Sequence, residues 1–78
     1  MIFIATFLTH FGALSLQRRL RKNGIPVKMM PVPRSLSASC GVCVRFDAET
    51  PDEARGADDL EAVYQDTDNN YQLVFKEE

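Results

Sequence analysis

Ile2-Phe3-Ile4-Ala5-Thr6-Phe7 is a run of β-branched, aromatic and small residues with no charge in it, and Thr9 follows two positions later. The run reads as a short strand buried on both faces, which obliges the rest of a small chain to build a sheet around it. Thr9 is an N-cap for a helix over His10 to Asn23, where Ala13, Leu16 and Leu20 recur at helical spacing with Leu14 beside them. Arg18, Arg19, Arg21 and Lys22 crowd the last turns, where the helix dipole favours cations, and Gly24 and Pro26 end the segment.

Val27 to Val32 reads as a second strand with prolines at its far end. Val42, Val44 and Phe46 alternate with Cys43 and Arg45 as a third, which puts Cys43 and Arg45 on one sheet face. A polar connection around Pro51 and Gly56 leads to a short helix over Asp58 to Gln65 presenting Leu60, Val63 and Tyr64. Asp66 to Asn70 is a turn and Tyr71 to Lys76 the last strand. The order strand, helix, strand, strand, helix, strand predicts an α+β two-layer sandwich of the βαββαβ ferredoxin-like kind. It has a four-stranded antiparallel sheet with two helices on one face. In that topology the start of the first helix and the loop from Pro31 to Val42 share one edge of the sheet.

The 78 residues make one domain, and a chain this short buries only roughly 60% of its unfolded surface, so a homodimer is one expected source of added stability. An apolar sheet face of Phe3, Ala5 and Val74, turned away from the helices, is the surface such a dimer would use. No apolar run approaches the ~20 residues that span a bilayer, and the start lacks the features of a signal peptide, so the expected location is cytoplasmic with no membrane partner. The net charge of −2 conceals a division: residues 1 to 46 carry seven bases and no acid, and residues 47 to 78 carry two bases and all eleven acids. Either the halves neutralise each other or the middle of the chain lies in a positive field. Nucleic acid is not an expected partner, since the whole chain is acidic and no basic stripe is interleaved with aromatics.

Both cysteines fall in one short segment, Cys40-Gly41-Val42-Cys43, approached through Pro31-Val32-Pro33-Arg34-Ser35-Leu36-Ser37-Ala38-Ser39. Three chemistries fit this spacing. A dithiol could cycle through a disulfide, although redox enzymes of the thioredoxin kind place such a pair at the start of a helix, and Val42, Val44 and Phe46 read as strand. A zinc site would have two thiolates and His10, the only histidine, and would need further ligands, so no metal or other cofactor is assigned. A nucleophile or carrier needs one exposed thiol, with the second able to release what the first holds. Against all three stands the ordinary fate of free cysteine, burial as a small hydrophobe.

Thr9-His10 and Ala13 on the first helix, Gly24-Ile25-Pro26, Pro31-Val32-Pro33-Arg34, Leu36-Ser37-Ala38-Ser39-Cys40-Gly41 and Arg45-Phe46 together resemble the small bacterial proteins described as selenium/sulfur carrier protein-like. The resemblance covers residues 2 to 46 and fades in the acidic remainder. It implies the handling of activated selenium or sulfur, with Cys40 as the cysteine of the family's cysteine-glycine pair. A cysteine desulfurase or selenium donor protein would load Cys40, and an acceptor enzyme would receive the cargo. Cys43 departs from the family pattern, where that position is often small or apolar, and this leaves a dithiol mechanism open.

On this reading the chain is a carrier rather than a complete enzyme. Cys40 holds a persulfide or perselenide, and Cys43 attacks to release it. Gly41 lets partner active sites approach the backbone, while Arg34 and the helix N-terminus at Thr9 and His10 stabilise the anion. Ser37 and Ser39 donate hydrogen bonds to it. Each has a plainer alternative: His10 and the serines satisfying local backbone, Arg34 pairing with Asp47 or Glu49. Two readings from other classes stand beside it. One is a small thiol-disulfide redox protein using Cys40 and Cys43, and the other is a structural or adaptor domain that dimerises.

Overall fold

The computed structural model describes residues 1–77. The chain runs β1 (Ile2–Phe7), α1 (His10–Lys22), β2 (Val27–Pro31), β3 (Val42–Asp47), a 3-10 turn (Pro51–Ala54), β4 (Leu60–Thr67) and β5 (Asn70–Lys76). The five strands form one sheet in the order β2-β3-β1-β4-β5, and every neighbouring pair is antiparallel. β1 and β2 therefore run the same way with β3 between them. No helix among the described residues is long and apolar enough to cross a membrane.

The ends of α1 are set by local chemistry. Thr9 holds an extended backbone and its hydroxyl oxygen accepts from the Gly12 N–H at 3.2 Å. At the other end Gly24 takes φ +74, its N–H reaching the Arg21 carbonyl at 3.1 Å, while the Ile25 N–H reaches that of Leu20 at 2.9 Å. This is a Schellman closure, which favours glycine at the left-handed position. The buried stripe Ala13, Leu16 and Leu20 packs onto Phe3, Ala5 and Phe7 of β1 and Val44 and Phe46 of β3. The Phe3 and Phe46 rings sit 5.5 Å apart at their centres.

The expected ferredoxin-like sandwich is not what forms: there are five strands rather than four, and α1 is the only α-helix among the described residues. The segment read as a second helix, Asp58 to Gln65, lies largely in β4. A β-bulge explains the misreading. Ala5 pairs with Val63 and Thr6 with Ala62, but Phe7 pairs with Leu60, so Glu61 is skipped. The extra residue puts Leu60 and Val63, three apart, on the same face of a strand, and that spacing mimics a helix. The strand is then fixed by a hairpin to β5 whose two central residues, Asp68 and Asn69, have φ +51 and +67. Those are the torsions of a type I′ turn, which matches the twist of paired strands.

Face assignments also change. Phe3 and Ala5 point into the core beneath α1, not away from it. The opposite face of β1 carries Ile4 and Thr6, both buried, and the Thr6 hydroxyl donates to the Ala62 carbonyl at 3.4 Å. Val74 is the residue passed over at a second bulge, where Val63 pairs with Phe75 and Tyr64 with Leu73. Cys43 and Arg45 do share one face, as their cross-strand partners Thr6 and Ile4 show.

Candidate functional site

The loop between β2 and β3 closes at its base, where the Val32 N–H donates to the Gly41 carbonyl at 3.1 Å. A turn at its tip brings the Leu36 N–H to the Pro33 carbonyl at 3.0 Å. Three further bonds tie its second limb to the body. The Cys40 N–H donates to the Phe7 carbonyl at 3.3 Å, fixing Cys40 against the end of β1 just before α1 begins. Ser39 gives its N–H to Glu61 Oε1 at 3.2 Å and its hydroxyl to Oε2 at 2.8 Å. The loop and the start of α1 thus meet at one end of the sheet.

The start of α1 is itself braced by the segment before β4. Thr9 Oγ1 donates to Asp59 Oδ2 at 2.7 Å while accepting from Gly12, and the Leu8 N–H reaches the Asp59 carbonyl at 2.8 Å. Asp59 holds φ +57 in this position. Gly12 packs directly under it, since a Cβ placed there would lie 2.3 Å from the Asp58 carbonyl oxygen. Asp59 and Glu61, which fall in the segment read from the sequence as a second helix, are therefore the side chains that hold Thr9 and Ser39. Their contacts cross 50 and 22 positions of chain, and no local pattern announces them.

The two thiols occupy unlike surroundings. Cys40 is half-buried on the loop. Cys43 is fully buried in β3, with its thiol directed at the Pro31 carbonyl 3.7 Å away. Burial pushes the Cys43 thiol up to about 11, against a smaller opposing pull from the Arg45 guanidinium. It is therefore protonated at neutral pH and a poor nucleophile.

The remaining expected residues lie in various places. Ser39 is spent on Glu61, and Thr9 on Asp59 and Gly12. Gly41 is exposed, and a Cβ built on it meets no atom within 4 Å. Arg34, Ser37 and His10 are all exposed, and Arg34 takes part in no ion pair among the described residues. Arg45 is turned the other way, its Nη1 2.8 Å from Asp66 Oδ2. It is the only basic side chain of the first half of the chain that pairs with a carboxylate of the second among the described residues, the Met1 ammonium pairing with Asp47 at 3.2 Å. Arg19 instead donates to the backbone carbonyls of Glu53 and Arg55.

Cys40 does not line either of two surface depressions. One, of about 540 Å³, lies between Met1, Ile2, Arg45 and Asp66 to Asn69, and the other, of about 310 Å³, lies around Pro26 to Lys28 and Arg45 to Asp47. Among the described residues no three His, Cys, Asp or Glu side chains gather as a metal-ligand set. The arrangement is thus a half-buried thiol on a tied loop, outside both of these depressions.

A family model described as "Putative Se/S carrier protein-like" matches residues 3–57 of the chain. The matched span includes β1, α1, β2, the cysteine loop and β3, and ends before β4. Comparison with curated proteins and with solved structures gave no match.

Proposed function

Since the chain belongs to the Se/S carrier protein-like family, we propose that it carries one sulfur or selenium atom on Cys40, as a persulfide or perselenide, between a donor and an acceptor enzyme. The observation that carries this reading is the inequality of the two thiols. One is half-buried on a loop, and the other is fully buried and protonated. A dithiol cycle would need the Cys43 thiolate, which burial disfavours. Substrate enzymes commonly hold their ligands in a cleft, whereas a carrier presents its cargo to clefts in other proteins, and Cys40 lines neither depression.

In the loading step the Cys40 thiolate attacks the terminal sulfur of a persulfide on the donor's cysteine. The donor's S–S bond breaks, its sulfur leaves as a thiolate, and Cys40 gains the new S–S bond with the outer sulfur as an anion. No outside oxidant is needed, because the transferred sulfur is already at the zero-valent level. The perselenide case is the same step with selenium as the outer atom. Gly41, with open space where a side chain would project, admits the partner's active site. Arg34, exposed on the same loop, is the cation this reading assigns to the anionic cargo. The bracing of Ser39 and Thr9 by Glu61 and Asp59 keeps Cys40 in one place for both partners.

The test is mass spectrometry after incubation with a cysteine desulfurase and L-cysteine, or with a selenocysteine-cleaving enzyme and L-selenocysteine. The expected adduct is one sulfur or one selenium, absent in Cys40→Ser and retained in Cys43→Ser. An adduct that survives in Cys40→Ser, or never forms on the wild-type chain, overturns the assignment.

A further inference from the structure

The outer side of α1 is as ordered as its buried side. At 3.6 residues per turn Phe11, Ser15, Arg18 and Lys22 fall within about 60° of one another, and the buried Ala13, Leu16 and Leu20 lie on the opposite side. Phe11 is 64% exposed, and Leu8, just before the Thr9 cap, is 52% exposed. Arg18 and Lys22 are exposed and join no ion pair among the described residues. The helix dipole accounts for Lys22, which lies in the last turn. It does not account for Arg18, which precedes that turn, or for an exposed aromatic in the first turn, where an acid would be favoured.

This ridge begins at the cysteine. The Phe7 carbonyl that accepts from the Cys40 N–H belongs to the peptide unit shared with Leu8, so Leu8 adjoins Cys40 and Phe11 follows in the first turn of α1. Arg34 is exposed on the cysteine loop at the same end. A standard interface covers roughly 800 Å² on each side, a disc about 30 Å across, whereas the 13 residues of α1 span only about 20 Å. A protein that encloses Cys40 is therefore large enough to lie along the whole ridge.

We infer that this ridge is the docking surface of the enzyme that loads Cys40, which presents an apolar pocket to Phe11 and Leu8 and a carboxylate-rich surface to Arg18, Lys22 and Arg34. The inference rests on the carrier reading of Cys40. An exposed aromatic beside the reacting residue is the kind of anchor that fills a partner's pocket, and the bases stand where an interface keeps its polar rim. Residues 1 to 46 contain no acid, so the sign of the ridge selects an acidic occupant. It also selects the donor over the acceptor. Loading leaves an anionic persulfide at the end of the ridge, which an acidic surface repels; that repulsion helps the donor leave and would oppose the approach of an acidic acceptor.

Rates of sulfur transfer to Cys40, read by mass spectrometry from two sources, test this. One source is a cysteine desulfurase of the same organism with L-cysteine, and the other is sodium tetrasulfide, a small reagent that needs no docking surface. With the desulfurase the rate is expected to fall about tenfold or more in Phe11→Ser, and as far in Arg18→Glu combined with Lys22→Glu. The wild-type rate should also fall several-fold from about 50 to 300 mM NaCl, as screening shortens the reach of the charges. With tetrasulfide all variants load alike. Lys28→Glu makes the same charge change on the other face of the sheet, beside Arg45, and keeps the wild-type rate from both sources. Circular dichroism confirms that each variant is folded. Folded ridge variants that load from the desulfurase at the wild-type rate overturn the docking surface and leave the carrier reading standing. So does slowing of the same size with tetrasulfide or in Lys28→Glu. A wild-type chain that gains no sulfur from the desulfurase overturns the carrier reading, and this surface with it.

Discussion

Ser39 holds both oxygens of Glu61, through its N–H at 3.2 Å and its hydroxyl at 2.8 Å, and so anchors the residue before Cys40 to β4. The pair is exposed, so its worth lies in position more than in stability. In Glu61→Ala both bonds are lost and the Cys40 segment is left with its single bond to Phe7. The expected outcome is a several-fold faster reaction of Cys40 with a small alkylating reagent and a stability loss of about 1 kcal/mol or less. Alkylation kinetics and urea denaturation of the same variant check the two parts separately.

Gly12 is small because another segment passes over it. A methyl group there would sit 2.3 Å from the Asp58 carbonyl oxygen and 3.0 Å from both Asp59 Cβ and Phe7 Cδ2. Alanine is the better helix former by about 1 kcal/mol, so propensity alone would make Gly12→Ala stabilising. Steric overlap with backbone wins, and we expect a net loss of about 1–3 kcal/mol in urea denaturation. The same variant should release the Thr9–Asp59 bond, visible as faster hydrogen exchange at the Leu8 amide, which donates to Asp59.

These contacts explain how far the fold could be read in advance. Thr9, Gly24 and the stripe of Ala13, Leu16 and Leu20 act within a few residues of themselves, and α1 was legible from them. The cysteine loop was legible as a loop for the same reason, from its prolines, serines and Gly41. β4 was not, because its meaning depends on the bulge opposite Phe7, which shifts Leu60 onto the face of Val63. The Asp68-Asn69 turn, flanked by Tyr64 and Tyr71, was the local clue that a hairpin competes with the helix. Within the site, the position of Cys40 beside the start of α1 followed from topology. Its bracing by Asp59 and Glu61 rests on pairings distant in sequence, which leave no periodicity to detect.

Asp66 joins two parts of the sheet. One carboxylate oxygen accepts from Arg45 of β3 at 2.8 Å and the other from the Asn69 N–H in the hairpin turn, also at 2.8 Å. Its side chain is only 5% exposed, so removing it strands a guanidinium and a turn amide together. Asp66→Ala is expected to cost about 2–3 kcal/mol, and Asp66→Asn less, since an amide oxygen can still accept. Asn69→Ala, which keeps the backbone N–H, should leave the Arg45 contact intact but strain the turn at its positive φ. Thermal denaturation of the three variants orders these effects.

Cys43 makes stability depend on pH at the alkaline end. Its thiol is raised from 9.0 to about 11 in the folded chain, chiefly by burial. Below pH 9 both folded and unfolded chains keep the proton, and the thiol has no influence on the slope. Between about 9 and 11 the unfolded chain releases it first, so stability falls as pH rises, by about 2–3 kcal/mol over the interval. The contribution of Cys43 is isolated as the difference between wild type and Cys43→Ala. That difference should shrink steadily from pH 9 to 11, because alanine has nothing to release. Alkylation at pH 8 gives an independent reading: Cys40 is modified in the native protein, whereas Cys43 is modified only when denaturant opens the sheet. Rapid native labelling of Cys43, or parallel stability curves for the two proteins, would show that β3 does not shield its thiol.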